Sequence, residues 1–307
     1  MTHEDTLRIV EQHWDREVEA GGGHTRPALA LTRELVRDFV AGRLEELPGV
    51  EHMDPRHLLE VVEGRDVLCL ASGGGQQTAM FGLLGARVTS LDLCEGQLRA
   101  DRVAAQHHGY EVRTIKGDAC DLSGLADASF DLVYQANSMG WIADVRAVYR
   151  GVHRVLRPGG LYRVAHNNPA VHSACFEGGL AGWDGVGYRI VDRYKGGPVL
   201  RNAAGVENME EGQFTGDRRH LLRDVFGGLL ELGFIIRYVA EDPVHLQEPV
   251  RGDPGSWVHL LYFVGLGINV VAEKPARRQE RRDNRERGGG FQWNRTSEPT
   301  LRRRPSR

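Results

Sequence analysis

Short apolar runs alternate with segments of helical periodicity through the middle of the chain. The runs predict buried strands, and apolar positions three and four residues apart between them predict helices. Strands that alternate with helices in this way are typical of an α/β protein with a doubly wound, mostly parallel sheet and right-handed crossovers. The predicted strands are 67–70, 86–91, 111–116, 130–134 and 161–165, and the helices between them are 79–84, 95–108 and 144–156.

A different pattern precedes the first strand. Residues 1–62 predict a helical N-terminal lid, with amphipathic spacing in three places and Pro-Gly or glycine breaks between them. Pro27 suits the first turn of the second helix. The predicted helices are 3–19, 26–47 and 55–62.

The pattern changes again after the fifth strand. Residues 63–275 predict one Rossmann-like domain, and within it 167–216 holds ten glycines and several aromatic residues without a clear period. This segment predicts an insertion over the carboxyl edge of the sheet. A helix at 217–232 and two closing strands, 234–240 and 268–273, are predicted to follow, with an irregular stretch containing Trp257 between the strands.

The net charge of −3 hides an uneven distribution. From Ala276 onward the chain has 11 Arg and 4 acidic residues, so the first 275 residues carry 28 basic and 38 acidic side chains, or −10. An acidic body with an arginine-rich end predicts a disordered basic tail at 276–307.

Other features predict a cytoplasmic protein that does not contact a membrane. No stretch reaches 18 uninterrupted apolar residues, and the charged N-terminus lacks an apolar core of the kind that signal peptides have. The cysteines are widely spaced, which indicates free thiols in a reducing compartment and no metal site. They are Cys69, Cys94, Cys120 and Cys175.

A glycine turn, Gly73 to Gly75, connects the strand 67–70 to the helix 79–84. A strand, a glycine turn and a helix N-terminus bring unpaired backbone N–H groups and the positive end of the helix dipole to one point. Such a point suits a nucleotide-like or carboxylate-bearing ligand, because no side chain blocks its approach.

Two aspartates end the next two strands. Asp92 lies 17 residues beyond Gly75, where a carboxylate can accept both hydroxyls of a ribose or can cap the following helix. Asp118 closes the third strand, where it can accept the exocyclic amine of adenine while the Ala119 backbone N–H meets a ring nitrogen, or can simply stabilise a turn. Open α/β sheets bind ligands at these carboxyl ends.

Together these segments resemble the class I S-adenosylmethionine-dependent methyltransferases, in particular the small-molecule group similar to ubiquinone and menaquinone biosynthesis enzymes. The resemblance implies strand order 3-2-1-4-5-7-6 in a seven-stranded sheet, with the last strand antiparallel. It also implies S-adenosyl-L-methionine as cofactor. The segments that carry it are VLCLASGGG (67–75), VTSLDL (88–93), KGDA (116–119), FDLVYQANS (130–138) and RVLRPGGLYRVA (154–165).

The resemblance also implies a set of cofactor-binding residues. Gly73 and Gly75 would allow close approach, and Gln135, Ala136 and Asn137 would line the methionine side. The predicted cofactor surface consists of Ala71, Ser72, Gly73, Gly75, Gln76, Asp92, Leu93, Gln97, Asp118, Ala119, Gln135 and Asn137.

Two positions of the glycine motif depart from the family pattern. The family usually has an acidic residue where Cys69 stands and a glycine where Ala71 stands. Our hypothesis is that Gln76 or Gln77 compensates for the missing acid near the methionine ammonium.

The implied reaction is an in-line methyl displacement, in which the protein mainly aligns the reactants and excludes water. A general base is needed only if the acceptor must lose a proton. Candidates are His24 on the lid, His166 at the end of the fifth strand and His172 at the start of the insertion, and each is equally compatible with a surface or core histidine. No Asn/Asp-Pro-Pro-aromatic motif follows the fourth strand, which favours a small organic acceptor over a nucleobase.

Three alternatives remain at this point. An NAD(P)-dependent oxidoreductase would share the strand, glycine turn and acid, although Thr78 stands in place of the third glycine of G-x-G-x-x-G. A nucleic-acid-modifying methyltransferase could use the arginine-rich tail, although acidic residues interrupt it and the body is acidic. The departures at Cys69 and Ala71 would also suit a cofactor-binding protein that does not catalyse.

Overall fold

A computed structural model describes residues 2–50, 53–171, 176–177, 180–181, 183–188, 196–198, 218–241 and 250–276. Its centre is a seven-stranded sheet in the order β3-β2-β1-β4-β5-β7-β6, and β7 is antiparallel to both of its neighbours. The predicted order and the antiparallel last strand are therefore confirmed. The strands are β1 Asp66–Leu70, β2 Arg87–Asp92, β3 Val112–Lys116, β4 Phe130–Gln135, β5 Leu156–Asn167, β6 Ile235–Glu241 and β7 Gly267–Glu273.

Helices cover both faces of the sheet. One apolar core joins β1 to α2 and α3 through residues such as Val36, Phe39 and Phe81, and the other joins the opposite face to α5 and α6 through Val148 and Leu229. Because β1 is buried on both faces, its sequence is a continuous apolar run. The helices are α1 His3–Ala20, α2 Arg33–Val40, α3 Gln77–Leu83, α4 Glu95–His108, α5 Val145–Val155, α6 Gly228–Glu231 (preceded by a π turn, Arg223–Gly227) and α7 Trp257–Val264.

The predicted helix 26–47 is wrong in extent. Thr32 caps α2 by accepting a hydrogen bond from the Leu35 N–H, and the helix ends before Gly42, whose φ is +72°. The residues before Thr32, including Pro27, cross the glycine turn instead, where the Ala28 N–H donates to Gly75 O at 3.4 Å. Tertiary contact with the turn thus overrides the helical spacing of this segment.

Three other element predictions need correction. Only Arg56–Leu58 of the helix 55–62 is helical, as a 3-10 turn. The stretch with Trp257, predicted to be irregular, forms α7 because the Ser256 side chain caps it by accepting from the His259 N–H. The predicted helix 217–232 begins later, since Arg218–Arg219 pairs as a short strand with Gly197–Pro198.

Much of the predicted insertion and nearly all of the predicted tail lie outside the described residues. In the insertion, Phe176–Glu177 pairs with Leu180–Ala181, and Trp183 and Tyr188 form an isolated bridge. Among the described helices, none combines the length and apolar content that crossing a membrane requires.

A fully buried arginine on β5 holds the end of β4 in place. The Arg163 guanidinium donates to the carbonyl oxygens of Gln135 and Ala136 at 3.0 and 2.8 Å and to that of Asp54 at 2.9 Å. A fourth hydrogen bond, of 2.7 Å, joins it to Asn269 Oδ1 on β7. Since Ala136 begins the loop after β4, this network sets the position of that loop.

We expect Arg163→Met to lower the free energy of unfolding by about 2–5 kcal/mol, because it leaves buried carbonyl groups without donors. Urea denaturation measures the change. Arg150→Met is the control, since Arg150 is exposed and the ion pair that it forms with Asp144, within the described part of the chain, is on the surface. A loss at Arg163 no larger than the loss at Arg150 would contradict this role.

Candidate functional site

A cavity of about 290 Å³ lies at the carboxyl ends of β1 to β4, beneath α1. The end of β2 and the loops after β1, β3 and β4 contribute the polar part of its wall. Ten of the predicted cofactor residues line it: Ala71, Ser72, Gly73, Gln76, Asp92, Leu93, Gln97, Asp118, Ala119 and Asn137. Gly75 and Gln135 do not line it, and Ala136 does.

The glycine turn is packed between two pieces of backbone. A Cβ on Gly74 would lie 2.7 Å from His24 O, and a Cβ on Gly75 would lie 2.6 Å from Ala100 O of α4. Both glycines also have positive φ, of +50° and +80°. The two glycines therefore allow the N-terminal segment and α4 to approach the turn, while Gly73 faces the cavity.

Ala71 adopts the left-handed conformation at the start of this turn, with φ of +45°. Its N–H donates to Leu91 O at 2.7 Å, which fixes the turn to the end of β2. A residue with a Cβ pays a steric cost for this conformation that glycine does not. The departure from glycine at this position therefore keeps the backbone shape and adds strain.

Asp92 presents a buried carboxylate to the cavity. Its Oδ1 accepts from the Cys94 N–H at 2.9 Å, and the N–H groups of Gly73 and Leu93 also donate to the carboxyl group. Burial disfavours the charged form and raises the pKa of Asp92 to about 7. Among the described residues no cationic side chain contributes to its electrostatics. A carboxylate can accept about four hydrogen bonds, so it has capacity for a further donor.

Asp118 has one oxygen bound locally and one bound by the lid. Its Oδ1 accepts from the Cys120 N–H at 2.9 Å, as in a turn, and its Oδ2 lies 2.7 Å from His3 Nε2 of α1. His3 lines the cavity and was not among the predicted residues. The adenine role predicted for Asp118 would thus place the base next to the first turn of α1.

Helix α1 supplies an apolar and aromatic wall that the sequence prediction missed. Trp14 contacts Trp141, with ring centroids 5.5 Å apart, and Trp141 is stacked on His13 at 4.6 Å. The signal was present, because the α1 residues that line the cavity recur at four- and three-residue steps on one helix face. They are His3, Leu7, Val10 and Trp14, with Thr6 beside them.

Polar contacts attach α1 to the strands below it. Glu11 pairs with Lys116 at 2.7 Å, and the Cys94 thiol donates to Asp15 Oδ1 at 2.9 Å. The turn after α1 is held as well, because the Gln76 amide donates to Gly23 O at 2.8 Å. One amide hydrogen of Gln76 is therefore directed at the lid, and its compensating role near the methionine group stays a hypothesis.

The three candidate bases are in different situations. His24 lines the cavity. His166 does not line it, because it is buried in the core with Nε2 2.8 Å from the Tyr149 hydroxyl, and burial and the nearby His220 lower its pKa to about 3. His172 lies outside the described residues.

Comparison with known proteins decides the family. The methyltransferase domain family matches residues 68–164. The uncharacterized methyltransferase YbaJ of Bacillus subtilis is 30% identical over 233 residues, which are 75% of this chain and 88% of that protein. The chain belongs to the class I S-adenosylmethionine-dependent methyltransferases. These comparisons support the methyltransferase prediction and do not support the NAD(P)-dependent oxidoreductase alternative.

Two further similarities agree with this methyltransferase assignment. A ubiquinone biosynthesis O-methyltransferase of Pseudomonas syringae pv. tomato is 29% identical over 111 residues, or 36% of this chain and 48% of that protein, about half its length. The crystal structure of an S-adenosylmethionine-dependent methyltransferase from Mesorhizobium loti superposes with a TM-score of 0.55 at 24% identity, over 69% of this chain and 92% of that one. At 24% identity, the similarity to the Mesorhizobium loti structure shows only that the two proteins share a fold.

The cavity of this methyltransferase fits the polar groups of adenosylmethionine. Ser72 Oγ and Gln97 Oε1 are buried and have no hydrogen-bond partner within the described part of the chain. Buried polar atoms are almost always satisfied, so a ligand with polar groups at this place is expected.

We expect Ala71→Gly to raise the free energy of unfolding by about 1 kcal/mol, because it relieves the left-handed strain. Thermal or urea denaturation gives the change. Ala79→Gly, in the buried helix α3, is the matched control and should destabilise, since glycine is unfavourable in a helix. Destabilisation by both substitutions would show that the strain at Ala71 is not significant.

Proposed function

We propose that this protein transfers the methyl group of S-adenosyl-L-methionine to a small organic acceptor in the cytoplasm, with S-adenosyl-L-homocysteine as the other product. The observation that carries the proposal is the buried Asp92 carboxylate, which faces the cavity under α1. A carboxylate in that position is stabilised by hydroxyl donors of a ligand.

The ribose and the adenine of the cofactor have proposed partners. Asp92 accepts the ribose hydroxyls, Asp118 and the Ala119 N–H bind the adenine edge, and Gly73 leaves room for the methionine part. Ser72, Gln97 and Asn137 supply further polar contacts. Gly75 and Gln135 act from outside the cavity: Gly75 by packing on α4, and Gln135 by a hydrogen bond of 3.0 Å to Ser138 Oγ in the cavity wall.

Methyl transfer depends more on the alignment of the acceptor with the methyl group than on acid–base catalysis. The bound cofactor supplies a methyl group that its sulfonium already activates. The protein's contribution is to hold the acceptor in line and to keep water out, and helix α1 forms the cover that does the latter. In this sense residues 1–62 are proposed to act as a lid. His24 is the base candidate that lines the cavity, whereas the lowered pKa of His166 makes it a weak base at neutral pH.

The cavity favours a small acceptor. Trp14 and Trp141 form one of its walls, and no Lys or Arg is among the described residues that line it. Recognition of a nucleic acid depends on such cations, because phosphate contacts supply most of the affinity. A relative that bears the name ubiquinone biosynthesis O-methyltransferase supports an acceptor that is not a nucleic acid.

We expect the affinity for S-adenosyl-L-homocysteine to rise about tenfold between pH 6 and pH 8. The ribose hydroxyls donate to ionised Asp92, and a carboxyl group with a pKa of about 7 is only about one-tenth ionised at pH 6. Titration calorimetry at both pH values measures the effect, and NADH in the same cell serves as the control ligand.

The matched variant for this prediction is Asp92→Asn. It should bind at least tenfold more weakly at pH 8, and its affinity should change less than threefold over the same pH range. Equal affinity of the wild type at pH 6 and 8, or undiminished binding by Asp92→Asn, would contradict the ribose role. Binding of NADH without binding of S-adenosyl-L-homocysteine would overturn the proposed function itself.

A further inference from the structure

A second buried carboxylate, Asp101 of α4, lies behind the glycine turn and outside the cavity wall. Its side chain is 1% exposed. Asp101 Oδ1 accepts from Thr78 Oγ1 at 2.9 Å, Oδ2 accepts from Ser90 Oγ at 2.6 Å, and the Gly75 backbone N–H donates to the same carboxyl group. None of these contacts is used by the cofactor roles proposed above.

The three donors come from three different elements. Gly75 belongs to the turn after β1, Thr78 to the first turns of α3, and Ser90 to β2. One side chain therefore links the turn, the helix that follows it and the neighbouring strand. Hydrogen bonds to an ionised acceptor are among the strongest in proteins, so Asp101 holds these three elements together more firmly than apolar contacts alone would.

The link extends to Asp92. Ser90 and Asp92 are two residues apart on β2, and side chains at that spacing point to the same face of a strand. Holding Ser90 thus fixes the end of the strand that carries the proposed ribose carboxylate. The negative charge of Asp101 also contributes to the raised pKa of Asp92.

Asp101 is also close to the position of the departure at Cys69. In the β1–β2 register Cys69 is the direct partner of Ser90, so the two side chains are neighbours on one face of the sheet. The charge of Asp101 contributes to the raised pKa of the fully buried Cys69 thiol. An acid on β1 at residue 69 would reach the same Ser90 hydroxyl that Asp101 reaches from α4.

A tyrosine completes the network from the far side. The Tyr110 hydroxyl donates to Thr78 Oγ1 at 3.2 Å, which in turn donates to Asp101. Tyr110 reaches Thr78 by lying across Gly82 of α3, where a Cβ would meet the tyrosine ring at 2.3 Å. The small residue at 82 is therefore part of the same arrangement.

We propose that Asp101 is a positioning residue for cofactor binding, which holds the glycine turn and the end of β2 in the geometry that Gly73 and Asp92 need. The proposal rests on the proposed function, because it concerns the same site. In this arrangement α4 holds the glycine turn in place through the Asp101 side chain, which the glycines of the turn cannot do themselves. Asp101 does not line the cavity, so its effect must pass through Gly75, Thr78 and Ser90.

The test uses Asp101→Asn, which keeps the size of the side chain and removes its charge. The expected result is at least a tenfold rise in the Kd for S-adenosyl-L-homocysteine, measured by calorimetry well below the melting temperature. A second readout is independent of any ligand: the Gly75 amide hydrogen should exchange at least tenfold faster in the ligand-free variant.

Asp131→Asn is the matched control. Asp131 is a partly buried carboxylate at the opposite edge of the sheet, where it accepts from the Asp66 N–H at 3.0 Å and pairs with Arg157 at 2.9 Å. Its loss should lower the melting temperature and leave the Kd unchanged. If Asp101→Asn behaves in the same way, Asp101 is merely structural and the proposal fails.

Milder and compensating variants keep the test decisive if Asp101→Asn does not fold. Thr78→Val and Ser90→Ala each remove one donor and should each raise the Kd about threefold; unchanged affinity in both would overturn the proposal. Cys69→Asp should recover at least part of the affinity that Asp101→Ala loses, since it returns a carboxylate to Ser90.

The outcomes separate the two claims. If the wild type does not bind S-adenosyl-L-homocysteine, both the proposed function and the role of Asp101 are rejected. If the wild type binds and Asp92→Asn does not, while Asp101→Asn binds normally, the function stands and only the positioning role is rejected.

Discussion

The close packing of the glycine turn between two pieces of backbone is the constraint on which the rest of the structure depends. Gly74 meets the His24–Thr25 backbone on one side, and Gly75 meets the Ala100 carbonyl of α4 on the other. Any side chain at either position would push the N-terminal segment or α4 away. The turn thus fixes the positions of the N-terminal segment and of α4 relative to each other, and the cavity needs both.

The electrostatics of the site depends on two buried carboxyl groups. Asp92 and Asp101 place two carboxyl groups on the same side of β2, and burial raises the pKa of both, to about 7 and about 6. Asp101 is offset by protein donors, whereas Asp92 keeps capacity on the cavity side. A ligand that supplies hydroxyl groups would add donors to the three backbone N–H groups that Asp92 already has, and would thereby stabilise the folded protein.

The sequence predicted the parts of the site that depend on local signals. The glycine turn, Asp92 and Asp118 follow from short runs whose meaning does not require distant contacts, whereas the order of the strands came from the family resemblance. What it missed depends on tertiary packing. The first residues of the helix predicted at 26–47 are not helical, because that segment packs on the glycine turn. His166 lies in the core, where it is hydrogen-bonded to Tyr149, and not in the cavity. His3 and Trp14 were recognisable as one face of α1, but nothing local to α1 showed that this face covers the cavity.

The most direct test of this account is a crystal structure with S-adenosyl-L-homocysteine bound. We predict that both ribose hydroxyls lie within hydrogen-bond distance of the Asp92 carboxylate. The adenine amine should lie at Asp118 beneath α1, where His3 either shares Asp118 Oδ2 or moves away from it. A ligand bound outside this cavity, or a ribose that does not touch Asp92, would contradict it.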